Sequence, residues 1–394
     1  MKKEVLQVNL INHLPHNETF VLTSKSYLEA IFQKLLIRTS LSELSHKIRI
    51  PINNLSRYHS GSRSIPLVNF IKLLRLANFD IIKLQGKLKL RIGRNGTFLK
   101  ISPNICIDSE WVYISEILRG DGYLSERTSS IVFINKNRDL VNFVISFFKK
   151  VGLKKSNIYL YEKRKDALFI TIRSKLLVQI FHKIFKIPVG KKGEMKLPDF
   201  MKKSIEFSAA AIAGIFDAEG SIQHVRTTSR RITISMITEN YLKDIQQILL
   251  NFGISSVIRI DKSSRTNSIY RLYIFNQSNL KKFYQIINFK HPGKKIKLKK
   301  LIDSFDKNRI VELSLRAEVL NSIKNGNNVT RSIVTDLNLP FSKIRNQLYR
   351  LQKNNLIVIT NKIYTNKGCY AIFRITDMGE KFLANHHVST LSSS

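Results

Sequence analysis

Two stretches of the chain repeat one another. The first runs WVYISEILRGDGYLSERTSSIVFINKNRDLVNFVISFFKKVGL from Trp111 and continues through KKSNIYLYEKRKDALFITIRSKLLVQIFHKIF. The second runs SAAAIAGIFDAEGSIQHVRTTSRRITISMITENYLKDIQQILLNFGI from Ser208 and continues through SSVIRIDKSSRTNSIYRLYIFNQSNLKKFYQIINF. Each predicts one order of elements: a helix ending in an acid and a glycine, two strands, an amphipathic helix, two more strands and a last helix. Such a duplication constrains the fold strongly, because equivalent residues of the two copies take equivalent places.

Period supports each element. Leu140, Val141, Val144, Phe147 and Phe148 recur at helical spacing, as do Leu242, Ile245, Ile248 and Leu249, and Gly152 or Gly253 follows where a left-handed residue ends a helix. Ile232, Ile234 and Met236, and Ile258 with Ile260, alternate with polar residues as in a half-buried sheet, which leaves one face free to bind. The two acid-glycine turns lie one repeat length apart. If the units pack about a pseudo-twofold axis through their first helices, Asp121 and Glu219 meet at the helix ends. Paired carboxylates repel unless a cation lies between them, and the end carbonyls of Gly120 and Ala218 add to the attraction for a hard ion. Magnesium is the cation expected.

The motifs IAGIFDAEG (Ile212 to Gly220) and ISEILRGDG (Ile114 to Gly122) resemble the two signature motifs of the LAGLIDADG homing endonucleases, over residues 108 to 305. The segments MKLPDFMKKSIEF and NFKHPGKKIKLKKLI also resemble stretches of that family. The resemblance implies an α+β fold: a pseudo-symmetric duplicated αββαββα core in one chain, acting as a monomer. It implies cleavage of double-stranded DNA at a long site, with Asp121 and Glu219 holding divalent metal at the scissile phosphates. Lys294 or Lys295, and Lys191 or Lys192 in the first repeat, are the basic residues it places near the centre. Glu116 departs from the pattern, standing where Gly214 stands in the second motif. It would either splay to the edge of the helix interface or hold the helices further apart, and the latter favours a DNA-binding regulator without cleavage. An intron maturase acting on RNA is a third reading.

Steps of two along the strand after each motif give one face: Tyr123, Ser125 and Arg127, then Ser221, Gln223, Val225 and Thr227, with Leu124 and Ile222 pointing to the core. Arg231, Thr233 and Ser235 share that face in the next strand. Arg and Gln suit guanine and adenine edges in the major groove.

Residues 1–107 predict an N-terminal α-helical domain resembling a helix-turn-helix, with Asn53, Asn54, Ser56, Arg57 and His59 on its second helix and a basic hairpin linker from Gln85 to Ile101. Repeats 108–206 and 207–305 make the core. Residues 306–394 predict three helices and a hairpin turning at Asn366 to Gly368, resembling a winged helix. Its recognition helix exposes Ser342, Lys343, Arg345, Asn346 and Arg350, with Lys367 at the wing tip.

Charge agrees with a polyanionic partner. Of 394 residues, 66 are Lys or Arg and 28 Asp or Glu, a net +38, part of which follows from a composition rich in Ile, Lys and Asn. Cys106 and Cys369 are too few for a disulfide framework or a zinc cluster, which suits a reducing compartment. The N-terminus makes a poor secretory signal, and the apolar run Ala209 to Phe216 is too short to span a bilayer. The expectation is a soluble cytoplasmic protein with no membrane partner. The termini carry no nucleophile pattern for splicing, which disfavours an intein.

Overall fold

The structure, a computed structural model, describes residues 4–391 apart from 81–87, 102, 164–166, 192, 226–228, 262–268 and 366–367. The chain forms two compact units, residues 1–300 and 301–394. Residues 1–107 lie within the first unit. The fold is α+β, as the repeat predicts, and no described helix is long and apolar enough to cross a membrane.

The first unit opens with β1 (Leu6–Asn9), β2 (Thr19–Leu22), α1 (Lys25–Leu36), α2 (Leu41–Ile48), α3 (Ile52–His59), β3 (Ile65–Pro66), α4 (Leu67–Leu76), β4 (Lys89–Ile92) and β5 (Asn104–Ile107). A capping box between Ser40 and Glu43 starts α2, and Arg49 in the left-handed region (φ 56°) ends it. Two short helices with a turn at Arg49 between them thus occupy residues 41–59. The basic stretch is not a linker: β4 pairs with β2 in a three-stranded sheet of order β3-β2-β4, because Leu88, Leu90 and Ile92 are buried. Leu90 and Leu99 still exchange both backbone hydrogen bonds across the turn (3.3 and 2.9 Å).

The first repeat comprises α5 (Ser109–Asp121), β6 (Gly122–Ser125), β7 (Ser130–Asn135), α6 (Arg138–Lys150), β8 (Ile158–Lys163), β9 (Ala167–Arg173) and α7 (Lys175–Lys183). After α8 (Asp199–Lys203), the second comprises α9 (Ile205–Glu219), β10 (Gly220–Val225), β11 (Ser229–Met236), α10 (Glu239–Asn251), β12 (Val257–Asp261), β13 (Ile269–Phe275) and α11 (Gln277–Ile286). Their sheets share one antiparallel topology, β6-β7-β9-β8 and β10-β11-β13-β12. The five apolar residues predicted for α6 are all buried, each stabilising by about 1.5–3 kcal/mol. Gly152 and Gly253, at φ 102° and 67°, supply the left-handed turn after α6 and α10.

Helix α12 (Pro292–Lys324) follows. In the second unit α13 (Thr330–Leu337), α14 (Phe341–Lys353), the antiparallel pair β14 (Ile357–Thr365) and β15 (Gly368–Ile375), and α15 (Asp377–Leu391) complete the chain. This unit has its own core, including Val319, Leu320, Ile333, Ile344, Leu351 and Phe373. The order of helices and hairpin agrees with expectation; α15 had no counterpart in it, and Asn366 and Lys367 lie outside the described residues.

Candidate active site and nucleic-acid interface

Helices α5 and α9 pack along their length, so α5 is buried from Trp111 through Gly120 and α9 from Ala211 through Asp217. A helix buried on every side needs small residues where its neighbour crosses. A Cβ on Gly214 would stand 2.5 Å from the Tyr113 carbonyl oxygen and 2.9 Å from the Glu116 Cβ. A Cβ on Gly120 would stand 2.5 Å from the Ala218 Cβ, and Glu219 Oε1 lies 3.5 Å from that same point. The Glu219 carboxylate thus reaches across to the residue preceding Asp121. At the opposite end, Ser109 Oγ donates to Glu206 Oε1 (2.8 Å) and ties the two helix starts together.

Glu116 neither splays outward nor opens the interface. It is wholly buried, its Cβ lying over Gly214, and Arg119 Nε donates to both its oxygens at 3.0 Å. Tyr241, from α10 of the other repeat, donates its hydroxyl to the same carboxylate. Arg119 then donates to the carbonyls of Phe185 (2.5 Å) and Lys186 (3.3 Å). Burial disfavours the guanidinium charge, but Glu116 beside it holds Arg119 protonated above its usual range. Burial, reinforced by Glu116, pushes Tyr241 well above the usual phenol range. The carboxylate that departs from the family pattern is absorbed by a cation and a hydroxyl one helical turn and one repeat away.

A reciprocal contact lies nearer the acids. Tyr113 of α5 donates its hydroxyl to Asp217 of α9 (2.6 Å), which also accepts from the backbone N–H groups of Lys290 (2.9 Å) and His291 (3.2 Å). Burial raises Asp217, although these donors work the other way. By fixing residues 290 and 291, Asp217 sets the start of α12. Lys294 Nζ then donates to the carbonyls of Phe216 (3.0 Å), Asp217 (2.6 Å) and Ala218 (3.3 Å). Burial lowers the Lys294 amine, opposed by the charges of Asp217, Asp121 and Glu219. The end of α9 therefore meets its cation within the chain. The Ala218 carbonyl, expected to face a metal, accepts from Lys294 through one of its two lone pairs.

Asp121 is half-buried and accepts from Asn135 Nδ2 (2.7 Å), whereas Glu219 is exposed. Two carboxylates and the Gly120 carbonyl make an all-oxygen set of the kind that suits a hard divalent ion completing its shell with water and phosphate oxygens. Among the described residues no cluster of three or more His, Cys, Asp or Glu could hold a metal, so this pair stands alone. Lys191 and Lys295 are exposed, and Lys192 lies outside the described residues. Asp217, Tyr113, Asn135 and the Glu116–Arg119–Tyr241 group were not foreseen; the one sequence signal for Asp217 is a lone acid inside an apolar helix.

The sheet faces follow the alternation only in part. Tyr123 (42% exposed) and half-buried Ser125 lie opposite buried Leu124. Arg127 does not continue this face: β6 ends at Ser125, whose Oγ accepts from Thr128 N (3.3 Å), and Arg127 stands exposed in the turn. Ser221 is exposed, and Arg231 Nε donates to Gln223 Oε1 (2.6 Å). Thr233 shares their face but is buried between the neighbouring strands, as it pairs with Ser221 on one side and Tyr273 on the other. The Val225 side chain and Thr227 lie outside the described residues. In the flanking regions Arg57 on α3 and Lys343 and Arg345 on α14 are exposed.

The model for a LAGLIDADG-like domain matches residues 206–288. Protein MJ0398 of Methanocaldococcus jannaschii is 25% identical, the match covering 63% of this chain and 97% of that one. The homing endonuclease I-ApeI of Aeropyrum pernix is 26% identical, with coverage of 48% and 86%. The structure of the homing endonuclease I-WcaI bound to its DNA recognition sequence superposes with a TM-score of 0.36 at 18% identity, covering 48% of this chain and 85% of that one. Other relatives align over a minority of their length: the chain spans 21% of the glutamine–fructose-6-phosphate aminotransferase of Methanocaldococcus jannaschii.

Proposed function

We propose that this chain, which belongs to the LAGLIDADG family, is a site-specific double-strand DNA endonuclease that depends on divalent metal. The observation that carries the reading is the crossing of Gly120 on Ala218, which brings Glu219 over the residue preceding Asp121 while Lys294 stands at the end of α9. Asp121, Glu219 and the Gly120 carbonyl would hold Mg²⁺ or a similar ion, which supplies a Lewis acid and an activated water for phosphodiester hydrolysis. Asn135 orients the Asp121 carboxylate by donating to one of its oxygens. Lys294 offsets the carbonyl charge at the end of α9 and adds a cation beside the scissile phosphates. Glu116 gives no ground for loss of cleavage, since its charge is neutralised without spreading the helices.

Residues 1–107 and 306–394 act in this reading as flanking DNA-binding modules that lengthen the recognised site through Arg57, Lys343 and Arg345. The test joins the chromosomal flanks of the coding region on a supercoiled plasmid and incubates it with the protein, with and without Mg²⁺. Metal-dependent linearisation that Asp121→Asn and Glu219→Gln each abolish is the expected result. Tight binding without cutting would favour a regulator, and preference for a spliced-intron transcript would favour a maturase.

A further inference from the structure

The two sheets are equal in topology and unlike in chemistry. On the outward face of the first sheet the register sets Tyr123, Val132, Thr171 and Tyr159 in one row across all four strands. In a neighbouring row Tyr161 stacks on Phe169 at 5.3 Å. Tyr123, Tyr159 and Tyr161 are 42, 43 and 46% exposed, so three aromatic rings are accessible on this surface. Among the described residues Arg173 joins them, its guanidinium 4.5 Å from the Tyr159 ring.

The equivalent face of the second sheet carries Arg231, Arg259 and Arg271 with Gln223, and its aromatic rings lie among these cations: Arg231 and Arg259 stand 4.7 and 5.9 Å from the Tyr273 ring, and Phe275 pairs with Arg231. Each of two guanidiniums is braced by a neighbour. Gln223 accepts from Arg231 Nε, and Asp261 pairs with Arg271 Nη2 at 2.7 Å. The Gln223 contact and the Tyr273 ring, 4.7 Å from the Arg231 guanidinium, together hold the plane of that fork. Arg259 and Arg271 are direct cross-strand partners, and Asp261 offsets the charge of Arg271 while that of Arg259 adds to the pull on an electronegative surface.

Major-groove chemistry tells these faces apart. A fixed arginine fork matches the O6 and N7 acceptors of guanine, whereas apolar and aromatic surface gains from the thymine methyl. We infer that the two sheets read half-sites of opposite base character: the second sheet takes guanine-bearing pairs through Arg231 and Arg271, and the first takes a thymine-rich half through Tyr123, Tyr159 and Tyr161. This rests on the reading of the protein as a DNA endonuclease and adds the composition and polarity of its target.

The experiment selects duplexes from a randomised pool with the full chain in Ca²⁺ buffer and sequences those retained. One half of the recovered site is expected to be rich in G·C and the other in A·T. In the consensus duplex, deoxyuridine in place of thymine in the A·T half weakens binding by about fourfold for each methyl in contact. Tyr159→Ala with Tyr161→Ala abolishes that sensitivity. Arg231→Ala costs about tenfold and relaxes the guanine preference at one position alone. Two halves of like composition, indifference to uracil, or an unchanged consensus with Arg231→Ala would each overturn the inference while leaving a DNA-binding protein. Failure to enrich any duplex would remove both the inference and the reading beneath it.

Discussion

Glu116→Ala tests the account of the helix interface most directly. The change removes the counter-charge of Arg119, both side chains being 0% exposed, and leaves the guanidinium with two carbonyls, those of Phe185 and Lys186. Breaking a buried ion pair by deleting one member costs about 3–5 kcal/mol, since the other charge stays desolvated. At an m-value of about 2–3 kcal/mol per molar urea, that moves the midpoint by about 1–2 M. Trp111 is the single tryptophan and packs on Phe147 (4.8 Å) and Phe185 (6.1 Å), so its fluorescence reports this interface. Replacing both charges, Glu116→Leu with Arg119→Met, removes the stranded ion. The double variant is expected to lie at least about 2 kcal/mol above the sum of the two single losses, as groups in one network couple. Adding Tyr241→Phe removes a hydroxyl left without its acceptor and recovers more. A loss below about 1 kcal/mol for Glu116→Ala, or strict additivity in the cycle, would refute the network as described.

Gly214→Ala drives a methyl against the Tyr113 carbonyl and is expected to cost about 1–3 kcal/mol, lowering DNA cleavage more than DNA binding when the two are assayed separately. Lys294→Met leaves three α9 carbonyls without their donor; a fall in cleavage of about tenfold or more, with duplex affinity within about threefold, is the outcome for single-turnover kinetics to check. Burial first, and Glu116 second, raise Tyr241, so its contribution to stability is complete below the unfolded phenol value and is lost as pH rises towards the folded one. Urea midpoints measured from about pH 9 to 11 should therefore fall less steeply in Tyr241→Phe than in the parent. Lys343→Ala and Arg345→Ala should each lessen the slope of log affinity against log salt by about one if α14 lies along phosphates, with no change of site preference.

The repeat, its helices and the alternation of its strands were legible because their periods persist over many residues. The helices α6 and α10 lie where Leu140 to Phe148 and Leu242 to Leu249 place them. Strands of four residues, such as β1 and β4, carry too little alternation to announce a partner, and both pair with segments far along the chain. Arg127 failed for a related reason: counting by two has no way to see a strand end, which here depends on the Ser125 hydroxyl and the turn after it. At the site, the acids were visible as motif letters. Their supports, Lys294 apart, were not, because Tyr113, Asn135 and Tyr241 reach Asp217, Asp121 and Glu116 from other helices and strands. Glu116 shows the limit best, since a residue judged by its own size was accommodated by a glycine on the opposite helix.

That accommodation also makes the two repeats unequal at their seam. Wherever α5 and α9 touch most closely, one side supplies the bulk and the other the hollow: Glu116 over Gly214, and Ala218 against Gly120. Were two first repeats to associate with one another, glutamate would confront glutamate at the seam without the tyrosine that Tyr241 provides. Two second repeats would meet glycine to glycine, without the bulk that Glu116 supplies over Gly214. At this seam the halves fit as lock and key, each supplying the shape that the other lacks.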